Sequence, residues 1–356
     1  MPVLRLLLIM ALVTPARAAT PQAIVAKGQE VRVQPLVTLQ LNGRSTPLLV
    51  DTGSAAPLVI FPEALPNAAG KIATVDLRVS KNQPPLADQA TVLPAEIPGA
   101  KGILGWPLLR NSIWKLDLPS GRHEFLAALP DVRGWISFPI ITSRDSLAIR
   151  HPQLGEVFLD SGARRGACLT KDRWNTWRKA HPESELTLSE GLSPASPGGA
   201  FANPTAHDVS FAFAPLEFRH TNVGEAFFDP AHDGASILLG LETFTRTAMI
   251  VDGPGKRVYF QPDEREPAYK PLPPNRLQTA FLPDPDFTNA LCIKLLPGGA
   301  GERAGLQDGD RVLELNGSGA PPSFTTMFDF VRKPGAKATL RIRRNRQPVI
   351  IKLTVP

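Results

Sequence analysis

Two stretches decide how this chain is read. Pro47-Leu48-Leu49-Val50 runs into Asp51-Thr52-Gly53-Ser54 and on to Leu58-Val59-Ile60. Val157-Phe158-Leu159 runs into Asp160-Ser161-Gly162-Ala163 and on to Ala167-Cys168-Leu169. In both, apolar β-forming residues lead to a carboxylate, a small hydroxyl residue and a glycine. Such a segment presents an acid at the end of a buried strand: the apolar run anchors the strand, glycine lets the backbone turn tightly, and the hydroxyl can bond neighbouring backbone and hold the turn.

The similarity extends well beyond the acids. Val31 to Leu41 and the turn Asn42-Gly43 precede the first motif, while Phe138 to Ile141 and a turn near Gly155 precede the second. Downstream stand Ile103-Leu104-Gly105 and Leu238-Leu239-Gly240. Twelve residues beyond each glycine is an aspartate, Asp117 or Asp252, and twenty beyond is a phenylalanine, Phe125 or Phe260. Landmarks kept in register in this way are the mark of a duplication. The second copy is longer between its landmarks, and the Ser/Pro/Gly-rich stretch Ser189 to Pro204 is expected to hold most of the excess as a long loop.

Two such acid loops, one per lobe, can bring two carboxyl groups face to face. Repulsion between like charges then leaves one proton shared between them. A pair of this kind can activate a water: one carboxylate takes its proton while the other carboxyl protonates the carbonyl oxygen of a bound amide. With these residues in view, positions 31 to 261 resemble an aspartic protease of the pepsin/retropepsin type with both halves on one polypeptide, as in bacterial aspartyl protease family proteins. The resemblance implies catalytic roles for Asp51 and Asp160. It gives loop-supporting roles to Thr52, Gly53, Ser54, Ser161, Gly162, Gly105 and Gly240, and it implies a peptide or protein substrate, with no metal and no cofactor. Two features depart from the family pattern, and one asymmetry separates the two motifs. Arg164-Arg165 adds positive charge directly after the second motif. The only tyrosines, Tyr259 and Tyr269, lie outside the expected flap hairpin between Ile72 and Val92. Ser54 has no hydroxyl counterpart at Ala163, so Asp51 is expected to ionise first and Asp160 to hold the shared proton. A catalytically silent, peptide-binding scaffold is the alternative reading.

Beyond Phe260 the composition changes. Pro262, Pro267, Pro271, Pro273 and Pro274, interleaved with charges, read as a stiff linker at a domain boundary. Pro297 to Asp310, with Ala304-Gly305-Leu306 and Gly309-Asp310, followed by Asn316-Gly317, resembles a bacterial-type PDZ domain. Such domains bind chain termini by adding a strand to an exposed edge. The resemblance puts the capture segment at Thr279-Ala280-Phe281-Leu282, where the family's glycine is missing. A C-terminal peptide is therefore the candidate ligand, against the alternative of a packing or regulatory domain that binds nothing.

The expected fold is mainly β: two aspartic-protease-like β-barrel lobes and a C-terminal PDZ-like α/β domain. The divisions are 1–18 signal peptide, 19–135 first lobe, 136–261 second lobe, 262–275 proline-rich linker and 276–356 PDZ-like domain. Composition agrees with this. In 356 residues, 43% hydrophobic and 20% charged describe an ordinary globular chain, and 37 Pro with 28 Gly disfavour an α-bundle. Arg5, the apolar run Leu6 to Val13, Pro15 and Ala16-Arg17-Ala18 read as a cleaved export signal, and a membrane anchor is disfavoured because the run is far too short to span. Two cysteines, Cys168 and Cys292, offer no disulfide framework, which is compatible with a periplasmic or secreted protein. The net charge of +6 includes Arg341, Arg343 and Lys352, which alternate with apolar residues as on a solvated sheet face, so nucleic acid is not an expected partner. The six histidines show no zinc-ligand spacing, and neither a Gly-x-Ser-x-Gly elbow nor a phosphate loop is present.

Overall fold

The computed structural model describes residues 23–66, 68, 70–93, 97–192, 200–226, 235–283 and 291–356. The export segment lies outside these residues. The first lobe contains β1 (Ala26–Lys27), β2 (Leu36–Leu41), β3 (Arg44–Asp51), β4 (Leu58–Ile60), β5 (Ile72–Arg78), β6 (Ala87–Val92), β7 (Gly102–Gly105), β8 (Ile113–Asp117) and β9 (Arg122–Leu126). The second contains β10 (Ile136–Pro139), β11 (Ala148–His151), β12 (Gly155–Asp160), β13 (Ala167–Leu169), β14 (Leu186–Leu192), β15 (Ala200–Phe213), β16 (Leu216–Glu225), β17 (Ile237–Gly240), β18 (Thr247–Asp252) and β19 (Arg257–Pro262). A C-terminal module follows with β20 (Thr279–Pro283), β21 (Leu291–Leu295), β22 (Arg311–Leu315), β23 (Lys337–Arg344) and β24 (Gln347–Thr354). The molecule is mainly β.

The duplication is visible in the hydrogen-bond ladders. β3 runs parallel to β7 with Asp51 opposite Gly105, and β12 runs parallel to β17 with Asp160 opposite Gly240. β7 pairs antiparallel with β4 as β17 does with β13, while β4 runs parallel to β6 as β13 does to β16. The equivalent strands β8 and β18 pair with each other, with Lys115 opposite Ile250, which stands at the same distance from its lobe's glycine. A two-fold relation between the lobes therefore passes through this pair. The resulting six-stranded sheet, in the order β1-β9-β8-β18-β19-β10, belongs to both lobes. β18 lies in its centre and is buried along its whole length. One apolar core runs through both lobes, from Val37 and Leu39 to Phe244 and Phe260.

The lobes differ in closure. In the first, β2-β3-β7-β4-β6-β5 forms a closed barrel, β5 being paired to β6 on one side and to β2 on the other. In the second, β15 occupies the place of β5, but its outer neighbour is the extra strand β14. Among the described residues that sheet ends in β14 and does not close, so of the expected barrel pair the first lobe is a closed barrel and the second a seven-stranded sheet. The expected long loop at 189–204 is corrected too. Residues on both sides of 193–199, which lie outside the described residues, belong to the β14–β15 hairpin, and the helix Lys171–Ala180 holds much of the remaining excess.

The proline-rich segment is a strap and not a free spacer. Ala268 and Tyr269 donate backbone hydrogen bonds to Pro119 and Leu118 of the first lobe, and Asp263 donates to Arg246 of the second. Tyr269 is fully buried in the shared core. The module has a separate core around Phe281, Leu306, Val312 and Leu340. Its β23–β24 hairpin turns at Asn345-Arg346, both at positive φ. Among the described residues no helix is long and apolar enough to cross a membrane.

Candidate active site

The ends of β3 and β12 meet at the two-fold relation. A Cβ added to Gly53 would stand 2.4 Å from Asp160 Cγ, and one added to Gly162 would stand 2.5 Å from Asp51 Cγ. Any larger residue would fill the space that the opposite carboxyl group occupies, so here glycine is required by contact between the loops. The two carboxyl groups thus face each other across the loops, and both are half-buried.

The hydroxyl residues act between the loops, whereas the sequence suggests that each holds its own turn. Thr52 Oγ1 donates to Leu159 O (2.7 Å) and Ser161 Oγ donates to Val50 O (2.7 Å). Each hydroxyl also accepts the other's backbone N–H, Thr52 N to Ser161 Oγ at 3.1 Å and Ser161 N to Thr52 Oγ1 at 3.0 Å. This reciprocal exchange fixes the separation of the two loops and hence of the acids. Gln34 Nε2 donates to Gly162 O (2.7 Å), and Ser146 Oγ donates to Gly53 O (2.8 Å), so each loop is also tied by one side chain from the other lobe.

Behind each acid the supporting glycine lies against the loop. A Cβ on Gly105 would meet Ala56 O at 1.9 Å, and one on Gly240 would meet Arg165 O at 2.5 Å. Trp106 N donates to Ser54 O in one lobe and Leu241 N to Ala163 O in the other. These contacts explain why hydrophobic-hydrophobic-glycine segments recur downstream of both acids.

Each carboxyl accepts two backbone N–H groups, Asp51 Oδ1 from Gly53 and Ser54 and Asp160 Oδ1 from Gly162 and Ala163. Burial and the neighbouring Asp160 charge push Asp51 well above the usual carboxylate range, and burial also raises Asp160. The expected ordering of the two is corrected: Ser54 Oγ donates to Ala56 O and not to Asp51, so the hydroxyl creates no preference for an ionised Asp51. The backbone hydrogen bonds to the two acids are matched, so they give neither carboxyl a preference for ionisation.

The other sequence-derived site residues lie elsewhere. Thr279, Ala280 and Phe281 of β20 are buried, and β20 packs against β14 and β15 of the second lobe. The expected open edge is therefore covered over these residues, while Leu282 is half-buried. Sequence reasoning misses Gln34 and Ser146, which have no motif of their own, and the buried Glu190 and Glu242 described below. The Arg164-Arg165 pair gives the only local signal of that buried charge.

The fold and site define a class: a two-lobed, mainly β molecule with one acid loop per lobe. No protein-family model and no curated protein matches the chain. Solved structures with a similar fold include an aspartic proteinase from Irpex lacteus, at 13% identity over 68% of this chain and 98% of that one with a TM-score of 0.46. Basic 7S globulin from soybean matches at 11% identity over 67% and 94% with a TM-score of 0.41, and conglutin gamma from lupine seeds at 11% over 68% and 95% with a TM-score of 0.42.

Proposed function

We propose that the chain is an aspartic-type endopeptidase that hydrolyses peptide bonds with a water activated by Asp51 and Asp160. The observation that carries this reading is the approach of the two carboxyl groups across the duplicated loops, each occupying the space where a Cβ on the opposite loop's glycine would stand, 2.4 Å from Asp160 Cγ and 2.5 Å from Asp51 Cγ. In the singly protonated pair, the ionised carboxylate takes a proton from water as its oxygen attacks the peptide carbonyl carbon, and the protonated carboxyl donates to the carbonyl oxygen. The resulting gem-diol collapses as the protonated carboxyl donates to the leaving amine nitrogen and the ionised carboxylate takes a proton from a gem-diol hydroxyl, so the C–N bond breaks and the pair again holds one proton. Thr52 and Ser161 keep the acids at the spacing this needs. Export through residues 1–18 to a periplasmic or extracellular compartment belongs to the same proposal.

Activity requires one proton on the pair. It is expected to fall at low pH, when both carboxyls are protonated, and at higher pH, when the raised step is passed and the shared proton is lost. The optimum therefore lies at acidic to mildly acidic pH. The test is cleavage of a mixed peptide library by the mature chain beside Asp51→Asn. Cleavage by the parent, at least about a thousandfold above the variant, insensitive to chelators and blocked by a statine-type peptide, supports the proposal. A parent that cuts nothing at any pH favours the silent scaffold.

A further inference from the structure

The second active-site loop has a support that the first lacks. Where the first copy has Ala55-Ala56, the second has Arg164-Arg165, and Arg165 is buried at 9% exposure. The backbone carbonyl of Arg165 accepts Glu242 N at 2.8 Å, its Nη2 reaches Ser189 O of β14 at 3.4 Å, and its guanidinium lies 3.8 Å from the centre of the Phe201 ring. The next residue of β14, Glu190, accepts Arg332 Nη1 at 2.5 Å and Asn275 Nδ2 at 3.2 Å, and the side chains of the Arg332–Glu190 ion pair are 10% and 2% exposed. Arg332 follows the helix Phe324–Phe330 of the C-terminal module and stacks over Phe328. In parallel, the Glu242 carboxylate accepts Leu272 N of the strap at 2.9 Å and Asn222 Nδ2 at 2.6 Å. A cavity of about 50 Å³ lies among Arg165, Glu190, Glu242, Leu272 and Arg332, where loop, strap and module converge.

We propose that the C-terminal module is a brace for the Asp160 loop, latched by Glu190 and Arg332, with Arg165 and Glu190 acting as positioning residues. The proposal rests on the peptidase reading for its effect on turnover, though not for its structural content. Three observations carry it. β14, the strand that receives the module, is the strand that the first lobe lacks and at which, among the described residues, the second sheet ends. The contact is ionic and buried: two arginines and two glutamates removed from water stabilise a surface little, but they hold it in a single arrangement, because any shift strands a charge. The module's β20 edge is closed by β14 and β15, so in this state the module holds the second lobe and does not offer that edge to a chain terminus.

The test uses the full chain with Arg332→Met, Glu190→Gln and Arg332→Lys. Amide exchange is followed in β14, in β20 and in the loop Gly162–Cys168, alongside kcat and KM on short unstructured peptides. Loss of the latch is expected to speed exchange about tenfold in all three segments and to lower kcat about tenfold with KM within about twofold, because loop geometry changes and the substrate-binding surface does not. Arg332→Lys, which keeps a cation opposite Glu190, should recover most of both. Faster exchange confined to β14 and β20, with loop exchange and kcat as in the parent, overturns the brace. If the parent cleaves nothing, loop exchange alone decides, so failure of the peptidase reading is distinguished from failure of the brace. If Arg332→Met does not fold, Asn275→Ala, which removes one bond to Glu190 without stranding its charge, takes its place: faster loop exchange supports the brace, and loop exchange as in the parent overturns it.

Discussion

Among single residues, Thr52 and Ser161 matter most to the geometry of the acids. Each is buried at 1% exposure, and each donates to a carbonyl and accepts an N–H across the lobe boundary. Thr52→Ala would leave Ser161 N and Leu159 O without these partners. It should cost about 2 kcal/mol in chemical denaturation and lower kcat, whereas Thr52→Ser, which keeps the hydroxyl, should remain near the parent. His123 is a second residue with a definite expectation. Its Nδ1 accepts Trp114 Nε1 at 3.1 Å, its Nε2 lies 2.9 Å from Leu36 O, and burial lowers its pKa to about 4. A histidine held neutral in the fold contributes stability that is present above its unfolded pKa of about 6.5 and lost as pH falls through its folded value. Acid should therefore remove about 3 kcal/mol between roughly pH 6.5 and 4, and thermal melts of His123→Gln across that range should show a shallower loss. An equally steep loss in the variant would assign the acid sensitivity to other groups.

Among the elements, the acid loops are legible in the sequence because their information is local. The apolar run, Asp-hydroxyl-Gly and a supporting glycine segment lie within short stretches, and the repeat makes each copy a check on the other. β14 is harder to recognise, because Ser, Pro and Gly after Ser189 suggest a loop. The alternation Leu186-Thr187-Leu188 just before it is strand-like, and Thr187 and Leu188 are buried. Which edge that strand takes is a tertiary matter, and composition says nothing of it. The strap is hidden for a related reason. Prolines indicate stiffness, but the burial of Tyr269 depends on a slot built by both lobes. Tyr269→Ala should empty that slot and cost about 3–5 kcal/mol in denaturant unfolding, a large share of the stability of a typical domain. A loss below about 1 kcal/mol would show that the strap contributes little.

In the molecule as a whole, two lobes, a strap and a module form one connected body. A chain ending near Gln261 loses Tyr269, the Leu272 bond to Glu242, and the Asn275 and Arg332 partners of Glu190, leaving two buried carboxylates short of partners. Such a chain should melt at a clearly lower temperature than the full chain and expose apolar surface to a dye. An unchanged melting temperature would mean that the lobes are self-sufficient and the C-terminal region is an appendage. Of this organisation, the sequence reveals the repeat and the change of composition at residue 262. The docking of the module through buried charge depends on which surfaces meet.

The peptidase reading depends on Asp51 and Asp160 sharing one proton, and carboxyl titration followed by carbon-13 NMR with labelled aspartate tests it most directly. A shared proton requires two well-separated steps for the pair, the upper one above the ordinary carboxylate range, with the upper step abolished in Asp51→Asn and Asp160 then titrating as a single group. Independent titration of both carboxyls near the usual aspartate value, unchanged for Asp160 when Asp51 is replaced, would contradict it.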